Sequence, residues 1–166
     1  MPGLLVSAAH WLGRSSVSHD AHDFLSSSVV VAPAAESLHI LSVAVIAGCA
    51  GAINLNLLGL AARDQQPAAM IRRFSPIIWV ALSVMLVTGG LLVLNRPTRY
   101  FLNWSFQTKV VLILVSCAIT LGYQLAAWRR PEGWATPPAA ARPIAAAALA
   151  VWLCVIFAGR WIAYAR

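Results

Sequence analysis

Four long apolar segments dominate the pattern of hydrophobic and polar positions along the chain. They run over about residues 33–60, 76–94, 105–128 and 143–164. Each can cross a hydrocarbon core of about 30 Å, which takes roughly 20 helical residues. Pro33, Pro76 and Pro143 stand at the start of three segments, where a helix tolerates proline. The pattern predicts an all-α membrane protein, an up-down-up-down bundle of four transmembrane helices.

The segments outside the spans are predicted to form one short helix, a loop and an extended connector. Residues 1–32 precede the transmembrane domain, which we place at 33–165. Leu4 to Leu12 predicts a short interfacial helix, whereas the serine-rich stretch from Arg14 to Ser28 predicts a polar loop. The Pro/Ala-rich stretch from Trp134 to Pro143 predicts an extended connector before the last span.

Composition confirms the membrane class and argues against catalysis. The 166 residues are 60% hydrophobic and 10% charged, against roughly 45–50% and about 25% in soluble domains. The chain is too short to hold a catalytic domain beside four spans, and it has no paired nucleophile and base and no metalloprotease motif. We therefore expect that it is not an enzyme.

The formal net charge of +7 does not indicate a nucleic-acid partner, because the cations lie in short loops beside apolar runs. Six loop arginines share one side of the predicted bundle: Arg63, Arg72, Arg73, Arg129, Arg130 and Arg142. Four lie on the other side: Arg14, Arg96, Arg99 and Arg166. Positively charged loops favour the cytoplasm, so we expect both termini on the extracytoplasmic side of a bacterial inner membrane.

Ionisable residues within the spans mark the candidate site. Antiparallel packing brings all four of them to one end of the bundle: Glu36, His39, Lys109 and Arg160. The polar loop above them contributes Arg99, Tyr100 and Asn103. In one interpretation Glu36 forms an ion pair with Lys109 or Arg160 that fixes the helix register. In the other, the cluster binds a cofactor, quinone or lipid head group, with His39 as a ligand or hydrogen-bond donor.

Haem b is one candidate for that cofactor. It usually takes two axial ligands, and His39 is the only histidine within a span. Met85 is expected to lie about 7 Å away from His39 along the bundle axis, from 1.5 Å per residue. Haem would therefore need five-coordinate iron, a ligand such as His10 from the N-terminal segment, or a ligand from a partner chain.

Two further patterns have both a structural and a functional interpretation. His19 and His22 lie three residues apart beside carboxylates, which makes a weak Cu²⁺, Zn²⁺ or Ni²⁺ site or simply a solvated loop. The third span has a polar face that Glu36 and Asn54 of the first span oppose, and it could be an ion path or a set of helix contacts. Its residues are Lys109, Ser116, Thr120, Tyr123 and Gln124.

Several motifs point to a known family. They are the run from Pro33 through Glu36 to His39, Asn56 with Gly59, Trp79, Thr88-Gly89, the run from Pro97 to Lys109, and the ending from Gly159 to Tyr164. Over about residues 28–165 they resemble an uncharacterised family of bacterial four-span integral membrane proteins. The second and third spans are distantly similar to the copper-resistance D-type membrane domain, through the loop and Lys109.

The resemblance implies a four-helix inner-membrane protein and no particular activity. It implies these signature polar positions: Glu36, His39, Asn103, Lys109 and Arg160. Asn54 and Asn56 depart from the family, where an acidic and a basic residue are expected.

The leading hypothesis is a non-catalytic membrane subunit or anchor of a larger redox complex. Its polar cluster would bind a cofactor, quinone or lipid head group, and its partners would be the bilayer and other subunits or further copies of itself. The alternative is a small transporter or copper-handling protein that uses His19, His22 and His39. A third hypothesis is a structural scaffold whose ionisable residues only register the helices.

Overall fold

The computed structural model describes residues 2–129 and 141–161, and within these ranges every regular element is an α-helix. Side-chain descriptions exclude residues 2–5, 8 and 159–161. The helices are α1 (Pro2–Gly13), α2 (Ser16–Ser26), α3 (Val31–Leu57), α4 (Pro67–Asn95), α5 (Pro97–Phe101), α6 (Trp104–Arg129) and α7 (Ala141–Trp161).

Four of these helices are long and apolar enough to cross a membrane: α3, α4, α6 and the 141–158 part of α7. They pack as a ring in which α3 contacts α4 and α7, and α6 contacts the same two helices. His39 near the start of α3 bonds to the Met85 carbonyl in the second half of α4. The end of α3, the start of α4 and the end of α6 meet around Ile53, Ile71 and Gln124, so α4 is antiparallel to both α3 and α6. The predicted all-α membrane bundle is confirmed.

Large apolar side chains occupy both the inside and the outside of the bundle. Ile46, Ile71 and Val155 are each 1% exposed and form part of the core between the helices. Ile40 and Val80, in contrast, are each 67% exposed. Such apolar outer faces suit contact with hydrocarbon chains, where burial against water is not required.

The second span begins earlier than predicted. The sequence pattern placed its start at Pro76, whereas α4 begins at Pro67 with Gln66 as an extended N-cap. Pro76 lies inside the helix, where it removes one main-chain donor. Ser75, one residue earlier, is buried and donates from Oγ to the Ile71 carbonyl at 2.6 Å. This helix continues through the exposed Pro76 because only one main-chain hydrogen bond is lost, which membrane helices tolerate.

The other three spans differ from prediction mainly at their ends. The first was expected over 33–60 and the third over 105–128, close to the α3 and α6 observed. The fourth begins at Ala141, so Pro143 lies in its first turn. The rest of the expected Pro/Ala connector and the chain after residue 161 lie outside the described residues.

The predicted polar loop at residues 14–28 is wrong, because most of it forms α2. Ser15 caps this helix by accepting a hydrogen bond from the Ser18 main-chain N–H at 3.3 Å. Ser18 Oγ donates to the Leu94 carbonyl at 2.7 Å, and Leu25 is buried. Tertiary contact with the end of α4 therefore outweighs the low helix propensity of serine and aspartate. A helix is present over the expected residues 4–12, as part of α1, which packs on α5; its interfacial location stays a prediction.

Replacing Ser18 with alanine tests the docking of α2. A neutral hydrogen bond contributes about 1 kcal/mol, so Ser18→Ala should speed amide hydrogen exchange in α2 by about fivefold. Ser26→Ala, at an exposed position of the same helix, is the control. Equal exchange rates in the two variants would show that the bond to Leu94 does not hold α2 in place.

Candidate functional site

The His39 side chain connects α3 to the end of α4. Its Nδ1 lies 3.1 Å from the Met85 main-chain carbonyl oxygen and 3.2 Å from Thr88 Oγ1. A carbonyl oxygen can only accept, and Thr88 Oγ1 already donates to the Val84 carbonyl at 2.8 Å. Nδ1 must therefore carry the proton and donate to both oxygens.

Lys109 reaches the same imidazole from α6. Its Nζ lies 3.3 Å from His39 Nε2. An amine is a much stronger base than an imidazole, so the Lys109 ammonium donates and Nε2 accepts. The structure thus brings His39 and Lys109 together, as the topology predicts, and joins three of the four spans at one polar group. We call His39, Thr88 and Lys109 the imidazole cluster.

A glycine makes room for the imidazole. A Cβ atom added to Gly89 would lie 2.9 Å from His39 Cε1, closer than unbonded carbons approach. Gly90, the next residue, has open space where its Cβ would be. The first of the two glycines therefore has a specific role in seating the ring.

The expected ion pair between Glu36 and Lys109 is not formed. Glu36 is exposed on α3, and it makes no hydrogen bond or ion pair with any other residue whose side chain is described. Lys109 likewise has no carboxylate within ion-pair distance in that part of the chain. The Arg160 side chain lies outside the described residues, so its expected pairing with Glu36 stays a prediction.

Arg99 and Tyr100, which the sequence assigned to a loop, lie in the short helix α5, and Asn103 stands just before α6. Asn103 Oδ1 accepts hydrogen bonds from the main-chain N–H groups of Ser105 at 2.8 Å and Phe106 at 3.4 Å, as an N-cap does. The Tyr100 ring meets Phe106 edge-on, with centroids 5.7 Å apart, and Arg99 is exposed. In the described part of the chain none of these three predicted site residues bonds to the imidazole cluster, and the structure gives two of them a packing or capping role.

The predicted 7 Å offset between His39 and Met85 is wrong. The two residues lie at one level, because the Met85 carbonyl is the direct partner of Nδ1. Sequence reasoning missed this carbonyl, Thr88 and Gly89 as site components. The offset was counted from a first span that begins at residue 33, whereas α3 begins at Val31 and His39 lies deeper than expected, and a main-chain carbonyl leaves no trace in the sequence.

Haem ligation fits this arrangement poorly. An axial histidine needs one ring nitrogen available for iron. Both nitrogens of His39 have protein partners, with Met85 and Thr88 on one side and Lys109 on the other. Iron could bind only by displacing the Lys109 ammonium.

A second set of polar side chains occupies the opposite end of the bundle. Trp79 Nε1 donates to Gln124 Oε1 at 2.9 Å, and Asn54 Nδ2 donates to the Ala50 carbonyl at 2.8 Å. Ser116 and Thr120 donate back to carbonyls of their own helix. The polar face predicted on the third span is therefore buried at Ser116, Tyr123 and Gln124 and contributes to helix packing.

The two tail histidines have different surroundings. His22 Nδ1 lies 2.7 Å from Asn95 Oδ1, which ties α2 to the end of α4, whereas His19 is exposed. Across the described ranges there is no group of three or more His, Cys, Asp or Glu side chains placed to hold a metal ion.

Comparison with known families adds one finding. A family of unknown function, DUF6644, matches residues 24–165. The chain belongs to this family. The match begins within α2 and includes all four candidate spans. No curated protein and no solved structure matches the chain.

The role of Gly89 can be tested with its neighbour as control. Gly89→Ala should destabilise the folded protein by about 1–3 kcal/mol, since overpacking forces the His39 ring from its hydrogen bonds. Gly90→Ala should be neutral or stabilising by roughly 0.5–1 kcal/mol, because alanine suits a helix better. Unfolding by SDS titration in mixed micelles measures both. Equal effects would contradict the close approach of His39.

Proposed function

We propose that this DUF6644 protein is a non-catalytic membrane subunit whose imidazole cluster binds the oxygen-bearing head group of a lipid-soluble ligand. One observation carries the proposal. The Lys109 ammonium is half-buried at one end of a membrane bundle, and within the described chain its one hydrogen-bond partner is a neutral imidazole.

An ammonium group has three donors, and His39 Nε2 takes one of them. Two N–H groups and a full positive charge are then left for a ligand. A cation within a span is costly and is usually paired or functional. Neither the imidazole nor the exposed Glu36 balances this charge, so a ligand oxygen with negative charge or a strong dipole suits the site.

Quinone carbonyls and phospholipid phosphates share that chemistry. Both are oxygen acceptors attached to an apolar tail, and the exposed apolar faces of the spans suit such tails. Lys109 lies five residues after Trp104, which is 78% exposed, and this is about 8 Å along the helix from an aromatic residue typical of the membrane interface. Lys109 therefore lies just below the level of lipid head groups.

The core between the two polar ends favours binding over transport. Buried apolar side chains such as Ile46 and Leu82 pack in this region, and the buried Ser116, midway along α6, donates back to the Leu112 carbonyl of its own helix. A continuous path for ions would need polar groups or water at this level. Copper handling has less support, since His22 is engaged by Asn95 and His39 by Lys109.

The setting of the protein is part of the proposal. The six arginines that the sequence assigns to one side of the bundle support a bacterial inner-membrane protein with both termini outside the cytoplasm. The imidazole cluster would then lie at the extracytoplasmic side. Exposed apolar helix faces leave room for other subunits of a redox complex or for further copies of the chain.

Substitution of Lys109 tests head-group binding. In detergent-purified protein, ubiquinone-2 and dioleoyl phosphatidylglycerol are titrated separately and followed by native mass spectrometry. Lys109→Met should weaken one of the two probes by about 10- to 100-fold, since a hydrogen bond to a charged group contributes about 1.5–3 kcal/mol. The probe affected identifies the ligand class.

Two controls make the outcome decisive. Arg72→Met removes an exposed cation near the start of α4, at the opposite end of the bundle, and should leave both affinities unchanged. Lys109→Arg retains the charge and should retain most of the binding. If Lys109→Met binds both probes as tightly as the wild-type protein, the proposal is wrong.

A further inference from the structure

A small polar cavity lies at the end of the bundle opposite the imidazole cluster. Asn54 of α3, Ser75 of α4, and Thr120 and Gln124 of α6 are among the residues that line it. The cavity has room for about one water molecule. His39 and Asn54 in α3, like Lys109 and Gln124 in α6, are fifteen residues apart, which corresponds to about 22 Å along a helix.

Asn54 contributes a hydrogen-bond acceptor without a protein partner. The side chain is 3% exposed, and its Nδ2 donates to the Ala50 carbonyl at 2.8 Å. Its Oδ1 is buried and has no hydrogen-bond partner in the described residues. Exchanging the two amide atoms would set Oδ1 against a carbonyl oxygen, so the bond to Ala50 fixes the orientation.

Gln124 contributes a donor of the same kind. The side chain is 2% exposed, and its Oε1 accepts from Trp79 Nε1 at 2.9 Å. Its Nε2 is buried and lacks a hydrogen-bond partner within the described chain. Exchanging the Gln124 amide atoms would place its N–H group against the Trp79 indole N–H, so the hydrogen bond from Trp79 fixes the orientation of this amide as well.

The hydroxyl groups that line the cavity supply further acceptors. Ser75 Oγ donates to the Ile71 carbonyl at 2.6 Å, and Thr120 Oγ1 donates to the Ser116 carbonyl at 2.9 Å. Each hydroxyl oxygen retains lone-pair capacity. The cavity therefore combines one fixed amide donor with several acceptors, which suits a neutral molecule that both accepts and donates.

We propose that this cavity is a binding site for a single water molecule that accepts from Gln124 Nε2 and donates to Asn54 Oδ1. The water joins α3 to α6, the two helices that face each other across the ring. A bare cation is disfavoured by the amide N–H, and an anion by the amide oxygen. Buried waters of this kind satisfy polar groups that the protein leaves unpaired.

X-ray hydroxyl-radical footprinting of the protein in nanodiscs tests the site, because radiolysis of a bound water oxidises the side chains beside it. Ile53 and Ile71 line the cavity, whereas Ile46 and Ile78 do not, and all four are buried. The matched residue type removes differences in intrinsic reactivity. The first two should be oxidised several-fold faster than the other two.

A variant with the polar atoms removed completes the test. Asn54→Leu combined with Trp79→Phe and Gln124→Met leaves no amide in the cavity and no unpaired indole. Labelling of Ile53 and Ile71 should then fall to the level of Ile46 and Ile78. Equal labelling of the four isoleucines in the wild-type protein would overturn the proposal even if the variant fails to fold, and so would unchanged labelling in a folded variant.

Discussion

The hydrogen bond from His39 Nδ1 to the Met85 carbonyl is the interaction on which the candidate site depends. It fixes which nitrogen carries the proton, and this leaves Nε2 as the acceptor for Lys109. In an α-helix the Met85 carbonyl also receives the N–H of Gly89, so the ring must approach a turn that is already hydrogen-bonded. Only a residue without a Cβ at position 89 leaves space for that approach.

The bundle places its polar groups in two separate layers, one around His39 and Lys109 and one around Asn54 and Gln124. The first layer joins three spans by direct hydrogen bonds, whereas the second joins α4 to α6 through Trp79 and Gln124. Apolar side chains such as Ile46 and Leu82 lie between the two layers. The layer around Asn54 is neutral, and the proposed water would pair its unpartnered amide atoms, which suits a role in holding helices together. The layer around Lys109 carries a charge that no described carboxylate balances, which suits a ligand.

The sequence was sufficient for the membrane class, the number of spans and the meeting of His39 with Lys109, because apolar length and antiparallel order determine all three. It misplaced the start of α4, since Pro76 looks like a helix start and Pro67 lies in a polar stretch. It assigned α2 to a loop, because the contact of Ser18 with Leu94 spans distant parts of the chain. It paired Lys109 with Glu36 by charge alone, whereas the rotation of α3 exposes the carboxylate and turns His39 inward.

The protonation state of His39 tests the central claim most directly. Solid-state ¹⁵N NMR of histidine-labelled protein in lipid bilayers, with His39→Gln used to assign the signal, distinguishes the two ring nitrogens. We predict a neutral imidazole at pH 7 that carries its proton on Nδ1. The unprotonated Nε2 accepts a hydrogen bond from the Lys109 ammonium. A proton on Nε2, alone or in an imidazolium, would contradict it, because Lys109 could not then donate to the ring.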